Sequence, residues 1–451
     1  MGGSVEFSKA TVAAALIALA WSVPVHAQDT KVFQFALQNG MQVVVVPDHR
    51  APIVTQMLWY RVGSVDDPPG LSGMAHFFEH MMFRGTASVP NDQFAQTVAR
   101  NGGEENAFTS HDYTCFYEQI AKDRLKLMMQ LDADRMVNLD LSDPNVNTER
   151  AVVLEERRMR TDNDPQALMH EQMEAALHLS HPYGRPVIGW PEEIRHIGRL
   201  EARDFYLHHY APNNAILVVA GDVTAEEVRA DAEATYEKVP ARALVPRAEF
   251  AQPPRLGETR LAVARPDVKV PVFNRLYRVV SYTGAKPGEA EALEVLAQLM
   301  GGDATSIFYK ELVVKRRLAS DAGASYEGYA RDAGEFGVYA VPRPGVRLDV
   351  LEQAVDAIIK SYTVAPPSAA DLERAKTQLV ADATYQRDSQ YSFASAYGQA
   401  LVIGLTADDV EDWPQRIRAV TGESVQQAAI HDLLKREAVT GILTPAPAQR
   451  S

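Results

Sequence analysis

The chain has 451 residues, 46% of them hydrophobic and 23% charged, with a formal net charge of −14. That length supports two or three domains, each with its own core, and the composition is that of a globular protein. The acidic balance argues against nucleic acid as the main partner and is compatible with basic peptides as ligands.

Lys9 precedes an apolar run from Ala10 to Ala20, and a small-residue end follows at Val25-His26-Ala27. Residues 1–27 are therefore expected to be a secretory signal peptide, which implies a periplasmic or secreted protein; the alternative is an uncleaved N-terminal anchor. The run is too short for a permanent membrane span, and no later segment is apolar enough to make one. Cys115 is the single cysteine, so no internal disulfide can form, and it reads as a packed small hydrophobe.

Residues 32–60 give three strand-like runs, VFQFAL, MQVVVVPD and IVTQMLWYRV. A predicted helix follows in GLSGMAHFFEHMMFRGT, with Ser72 placed to cap its start and Gly85 to end it. On that helix His76 and His80 lie one turn apart on one face with Glu79 beside them. Two imidazoles so placed can hold one metal ion, with Glu79 in reach of water there. The order is the reverse of HExxH, the inverzincin form. A helix at QFAQTVARNG comes next.

A catalytic zinc needs a third protein ligand. DPNVNTERAVVLEERRMR, residues 143–160, reads as a helix with Asp143 as N-cap and Pro144 as first helical residue. Glu149 and Glu156, seven apart, share one face, while Glu155 points about 100° away from Glu156. Without the histidine pair this would read as a solvated acidic helix.

The Pro-rich stretch VPARALVPRAEFAQPPRLGE carries no sustained period. It divides the chain into an N-terminal domain (28–240), a linker (241–258) and a C-terminal domain (259–451). TRLAVARP, VPVFNRLYRVVSYT and GAKPGEAEALEVLAQLMGG repeat the strand, strand, turn and helix order of the first half, and each half closes on a strand, NNAILVVAGDV and AVTGILTP. The expected fold class is α+β: two homologous halves, each a largely antiparallel sheet packed with several helices. His111, His181 and the His208–His209 pair read as surface or loop residues without chemistry.

At this point the chain resembles the pitrilysin and mitochondrial-processing-peptidase family of zinc peptidases. The resemblance rests on HFFEHMMFRGT, NGGEENAFTSHDYTCFYEQI, ERAVVLEERRMR, HPYGRPVIG and YAPNNAILVVAGDV, and on Glu156 standing 76 residues after His80. It implies that each chain forms half of a clam-like chamber and binds one zinc through His76, His80 and Glu156. Glu79 would be the general base toward water attacking a peptide carbonyl, and Glu149 an acid that orients the site. The 106–110 strand would receive the substrate as an added strand, with Asn106 and Ala107 on its backbone and Phe83 lining a side-chain pocket; Phe83 reads equally as plain core.

The second half departs from the family. Where its pattern L-R-x-x-R-G-L-A-Y places an Arg and a Tyr that hydrogen-bond the substrate, LVVKRRLAS carries Val313 and Ser320. The expectation is a zinc endopeptidase acting on peptides or unfolded segments, as catalytic subunit with a homologous partner that lacks zinc and supplies the Arg and Tyr. The alternatives are a self-sufficient homodimer and a non-catalytic structural subunit.

Overall fold

The computed structural model describes residues 31–90, 93–434 and 437–446. The signal-peptide reading of residues 1–27 lies outside the described residues. No helix among the described residues is long and apolar enough to cross a membrane.

Six strands form the first sheet: β1 (Phe33–Ala36), β2 (Gln42–Pro47), β3 (Ile53–Tyr60), β4 (Glu104–Thr109), β5 (Thr114–Ala121) and β6 (Ala215–Gly221). Their spatial order is β1-β2-β6-β3-β5-β4, and only the β2–β6 pairing is parallel. The VVVV run of β2 and nearly all of β3 and β6 are buried on both faces, as continuous apolar runs demand. β4 stands at the sheet edge, and its alternating burial is that of a half-covered strand.

The second sheet comprises β7 (Thr259–Arg265), β8 (Val272–Val280), β9 (Ala319–Glu327), β10 (Ala333–Pro342) and β11 (Ala438–Pro445). Its order, β7-β11-β8-β10-β9, with only β7–β11 parallel, repeats β2-β6-β3-β5-β4 strand for strand. The molecule is thus two homologous α+β halves. Residues 240–258 carry neither helix nor strand, but they are tied down: Arg247 pairs with Asp66 and donates to Asp112 O, and Gln252 donates to Leu177 O.

Each sheet has two covered faces. On the inner face of the first, Leu58, Tyr60 and Phe116 pack under Phe77, Phe78 and Met81 of the helix Met74–Met81. Its outer face, with Met57, Trp59, Cys115, Ile216 and Val218, is covered by Ala394, Tyr397 and Val402. These belong to the helix Gln390–Ile403, which the second half contributes. The arrangement is reciprocal: Met169, Met173 and Leu177 of the helix Pro165–Leu177, in the first half, cover Val272, Leu276, Val439 and Leu443 of the second sheet. Each half therefore lends one helix to the other.

Three local expectations change. Ser72 does not cap the 74–81 helix; its Oγ accepts from Trp190 N, and Gly73 is the N-cap, at φ 87, in the left-handed region that favours glycine. The cap is supplied by Asp67, whose carboxylate accepts from the amides of Gly73 (2.7 Å) and Ala75 (2.8 Å). In the helix Asp143–Arg157 the N-cap is Ser142, one residue earlier than expected. His181 is buried, and its Nε2 lies 3.1 Å from Asp332 of the second half, so it is a joint between halves rather than a surface residue. Gly85, at φ 83, does end the helical run.

The lent helices approach their sheets through glycines. A Cβ on Gly398 would stand 2.1 Å from Trp59 Nε1, on a rigid buried ring, whereas one on Gly441 would meet the flexible Met173 Sδ at 2.2 Å. Gly398→Ala is expected to cost about 1–3 kcal/mol, the range for overpacking a tight core. Gly441→Ala should cost less. Chemical unfolding of the two variants checks the order; equal losses would mean that Trp59 yields as readily as Met173.

Candidate metal centre

The two histidines sit on the inner helix because Phe77, Phe78 and Met81 must face the sheet, which turns His76 and His80 toward the helix Asp143–Arg157. There Glu156 Oε2 lies 3.0 Å from His80 Nε2 and 3.7 Å from His76 Nε2. One donor atom from each of the three residues falls within a span of 4.8 Å, and among the described residues no other group of this kind does so. Glu156 Oε2 is buried and makes no well-formed hydrogen bond, and His76 Nδ1 is likewise buried without a partner. An orphaned carboxylate oxygen facing two imidazoles is costly unless a cation completes it, so the residues present fit a divalent metal.

Two of the three donors, His80 and Glu156, are held by a neighbour. Glu149, buried, accepts from His80 Nδ1 at 3.3 Å, which turns Nε2 toward Glu156. Arg84 in turn grips the other oxygen of Glu149. Arg160, on a π-helical turn at Arg158–Asp162, binds Glu156 Oε1 at 2.8 Å and leaves Oε2 for the centre. Glu155 points to solvent and pairs with Arg158. Glu79 does not join the donor set; its Oε2 accepts from Thr109 Oγ at 2.5 Å, at the end of β4.

The electrostatics follow from burial and these partners. Burial, with His80 close by, presses the His76 imidazolium down to about 4, so His76 is neutral and its lone pair is available. Burial opposes charge on His80 too, but the carboxylates Glu149 and Glu156 outweigh it and raise the group to about 9. A metal ion must displace that proton. Burial lifts the Glu79 carboxyl above its ordinary value, the direction a general base needs, although the Thr109 hydroxyl offsets part of the rise.

The remaining expected residues lie on or beneath β4. Asn106 is exposed on the edge strand, and its Oδ1 accepts from Ala107 N at 2.8 Å; Ala107 packs against the inner core. Phe83 is half-buried against the same core, 6.0 Å from the Phe116 ring. In the second half Val313 is core, and Ser320 Oγ donates to Val341 O at 3.3 Å. Arg317 has φ 51 where the family pattern carries glycine. Thr109, Arg84 and Arg160 were not read from the sequence, although the spacings 80–84 and 156–160 put both arginines one helical turn from a candidate donor.

Arg157 was also missed. It is buried and donates to both oxygens of Glu171 (2.7 and 2.9 Å) and to Gly189 O (2.9 Å). Gly189 lies against Gly73, so this side chain joins both donor-bearing helices to the lent helix Pro165–Leu177.

Comparison with known proteins agrees with the geometry. Residues 42–190 match the family described as insulinase (peptidase family M16), and residues 196–379 match the M16 inactive domain. The zinc protease PqqE of Helicobacter pylori is 30% identical over 81% of this chain and 82% of its own length. A zinc protease of Mycobacterium leprae is 30% identical over 94% of both chains. The crystal structure of a protease from Helicobacter pylori superposes with a TM-score of 0.86 at 27% identity, covering 92% of this chain and all of that one. The first half of the periplasmic protease PqqL from Escherichia coli shares the fold at a TM-score of 0.77 and 20% identity, covering 92% of each chain; the full PqqL chain is covered over 48% of its length.

Arg157→Met is expected to lower stability by about 3–5 kcal/mol, since it leaves Glu171 charged, buried and unpaired. Adding Glu171→Leu should recover most of that loss. Thermal unfolding of the single and double variants tests this; if the double variant is as weak as the single one, the pair is not the joint described.

Proposed function

Because the chain belongs to the M16, insulinase-type peptidase family, we propose that it is a zinc-dependent endopeptidase that hydrolyses peptides or unfolded protein segments. The observation that carries this reading is the convergence of His76, His80 and Glu156 within 4.8 Å, beside a half-buried Glu79 close enough to feel the charges of His80 and Glu156. His76, His80 and Glu156 would hold one zinc per chain.

A bound zinc supplies Lewis acidity toward water and the peptide carbonyl. The chain's own residues do the rest. Thr109 occupies Glu79 Oε2, so Oε1 is the oxygen that takes a proton from the attacking water and later returns it to the leaving amine. Glu149 fixes the ring of His80, and Arg160 fixes Glu156. β4 is an open edge that ends at Thr109, so a peptide added alongside Asn106 and Ala107 brings its backbone to Glu79. Phe83 serves as wall to the side-chain space beneath that strand. The leader-like residues 1–27 and the likeness to a periplasmic protease support a periplasmic or secreted location.

Glu79→Gln should keep its zinc, measured by metal analysis, while turnover falls by at least about a hundredfold, the scale of a lost general base. Glu156→Gln should lose zinc, and Glu155→Gln should retain both zinc and turnover. Full peptidase activity in a chelated, metal-free protein would sink the assignment.

We further propose that the active form pairs this chain with a homologous subunit that lacks zinc ligands and supplies an Arg and a Tyr. Val313 and Ser320 stand where those donors belong, and each such donor contributes a factor of about 10²–10³ to turnover. The match to about half of the PqqL chain supports a pairing of two units of this size. The isolated chain should bind zinc and cleave peptides slowly, and addition of the partner should raise the rate at least about a hundredfold. Full activity of the chain alone, unchanged by any homologous subunit, favours the homodimer instead.

A further inference from the structure

The repeat of topology gives every site residue a counterpart in the second half. Gly73 and Gly288 are both left-handed N-caps, at φ 87 and φ 90, and the sixth residue beyond them is Glu79 in one half and Glu294 in the other. Ser142 and Ser368 both cap the next pertinent helix, and the fourteenth residue beyond is Glu156 or Asp382. Trp190-Pro191, three residues before Ile194, recurs as Trp413-Pro414 before Ile417. The histidines are lost: Glu291, held by Arg416 at 2.6 Å, replaces His76, and Val295 replaces His80, while Ala375 stands where the first half has Glu149.

The space at this counterpart position is a cavity of about 500 Å³. Glu294 and Asp382 supply carboxylates to its lining, and Tyr329, Tyr391, Phe393 and Trp413 supply rings. Glu294 Oε2 accepts from Tyr282 OH and, at 3.1 Å, from Trp413 Nε1; Gln378 donates to Asp382 Oδ1 at 2.8 Å. Among the described residues neither carboxylate forms an ion pair. Arg387 is the one basic residue of the lining, and it lies over the Phe393 ring at 5.6 Å. The carboxylates do not converge with a third donor, so a metal ion is not the ligand this lining suits.

We propose that this cavity binds an organic cation, the basic side chain of a peptide. Two carboxylates without ion pairs attract a positive charge, and aromatic faces hold a weakly hydrated cation where a small metal ion would find too few donors. The second half would thus use the geometry of a metal centre, stripped of its imidazoles, to hold a substrate-like group without cleaving it. The site needs no peptidase activity, so its test is independent of the function proposed above.

Calorimetric titration of the full chain with Nα-acetyl-lysine N-methylamide is the measurement. A Kd on the order of 1 mM is expected for a ligand of this size. The norleucine analogue, which ends at the last side-chain carbon and carries no ammonium, should bind at least about tenfold more weakly. The arginine analogue distinguishes guanidinium from ammonium, and leucine N-methylamide distinguishes a chain terminus from a side chain; preference for the terminus would overturn the side-chain assignment. Glu294→Gln should weaken lysine binding by about tenfold or more. Asp382→Asn, at an exposed position, should weaken it without the risk of misfolding that attends the half-buried glutamate. Equal binding of the norleucine analogue, or lysine binding indifferent to both substitutions, would overturn the proposal.

Discussion

One buried guanidinium holds the centre together. Arg157 stands beside Glu156 on the same helix, yet it leaves on another face, into Glu171 and the carbonyl of Gly189. Through Gly189 it reaches the loop against which Gly73 closes, and so the start of the histidine helix. Through Glu171 it reaches a helix that lies on the other half's sheet. A buried pair of this kind adds little net stability compared with apolar residues of equal volume, but it tolerates only one geometry. Here that geometry sets how the helix with Glu156 lies against the helix with His76 and His80. The distances at the centre, a few ångströms between donors on separate elements, follow from that angle.

Around this joint the molecule is a duplication with unequal outcomes. Both halves keep the strand order, the left-handed glycine before the first inner helix and the exchanged outer helix. Only the first keeps imidazoles. The buried charges differ accordingly. The first half also hides Arg135 among the rings of Phe83, Phe94 and Phe116, paired with Glu118 and Asp132, directly beneath the edge strand. In the second half Arg275 is buried beside the Phe273 ring and paired with Glu352 and Asp356, and Glu294 and Asp382 line a separate cavity. Both halves thus hide a paired arginine in the inner core, but only in the first do buried charges also hold the donors of the candidate metal centre.

Much of this was legible in the sequence. Strands β2, β3 and β6 were written as apolar runs, because a strand buried on both faces has no room for alternation. The donor set was legible because spacing on a helix converts directly into position: four residues place His80 under His76, and seven place Glu156 under Glu149, with Glu155 left to solvent. Long-range partners left weaker traces. Asp67 caps a helix from a loop, where no periodicity marks it. The helices 165–177 and 390–403 have apolar faces that read the same whether they cover their own sheet or the other. Arg157 looked like one more charge in a charged helix, since its partners come from elements far along the chain. The Trp-Pro-x-x-Ile repeat was present in the sequence and, noticed, would have paired the two inner clefts residue by residue.

The exchanged helices also set the order in which the molecule can be completed. As the chain is synthesised, Met57, Trp59, Ile216 and Val218 have all emerged well before residues 394–402 exist to cover them. The first sheet therefore waits, with one apolar face open, for a helix that begins 169 residues after its last strand ends (390 − 221). Contacts of such sequence separation form slowly, and an open apolar face invites association with other chains in the meantime. The second half has no such delay, because residues 165–177 precede its first strand and are ready when β11 closes the sheet. Folding is thus asymmetric in time although the fold is symmetric in space: the first sheet is complete long before its cover exists, whereas the cover of the second precedes its sheet.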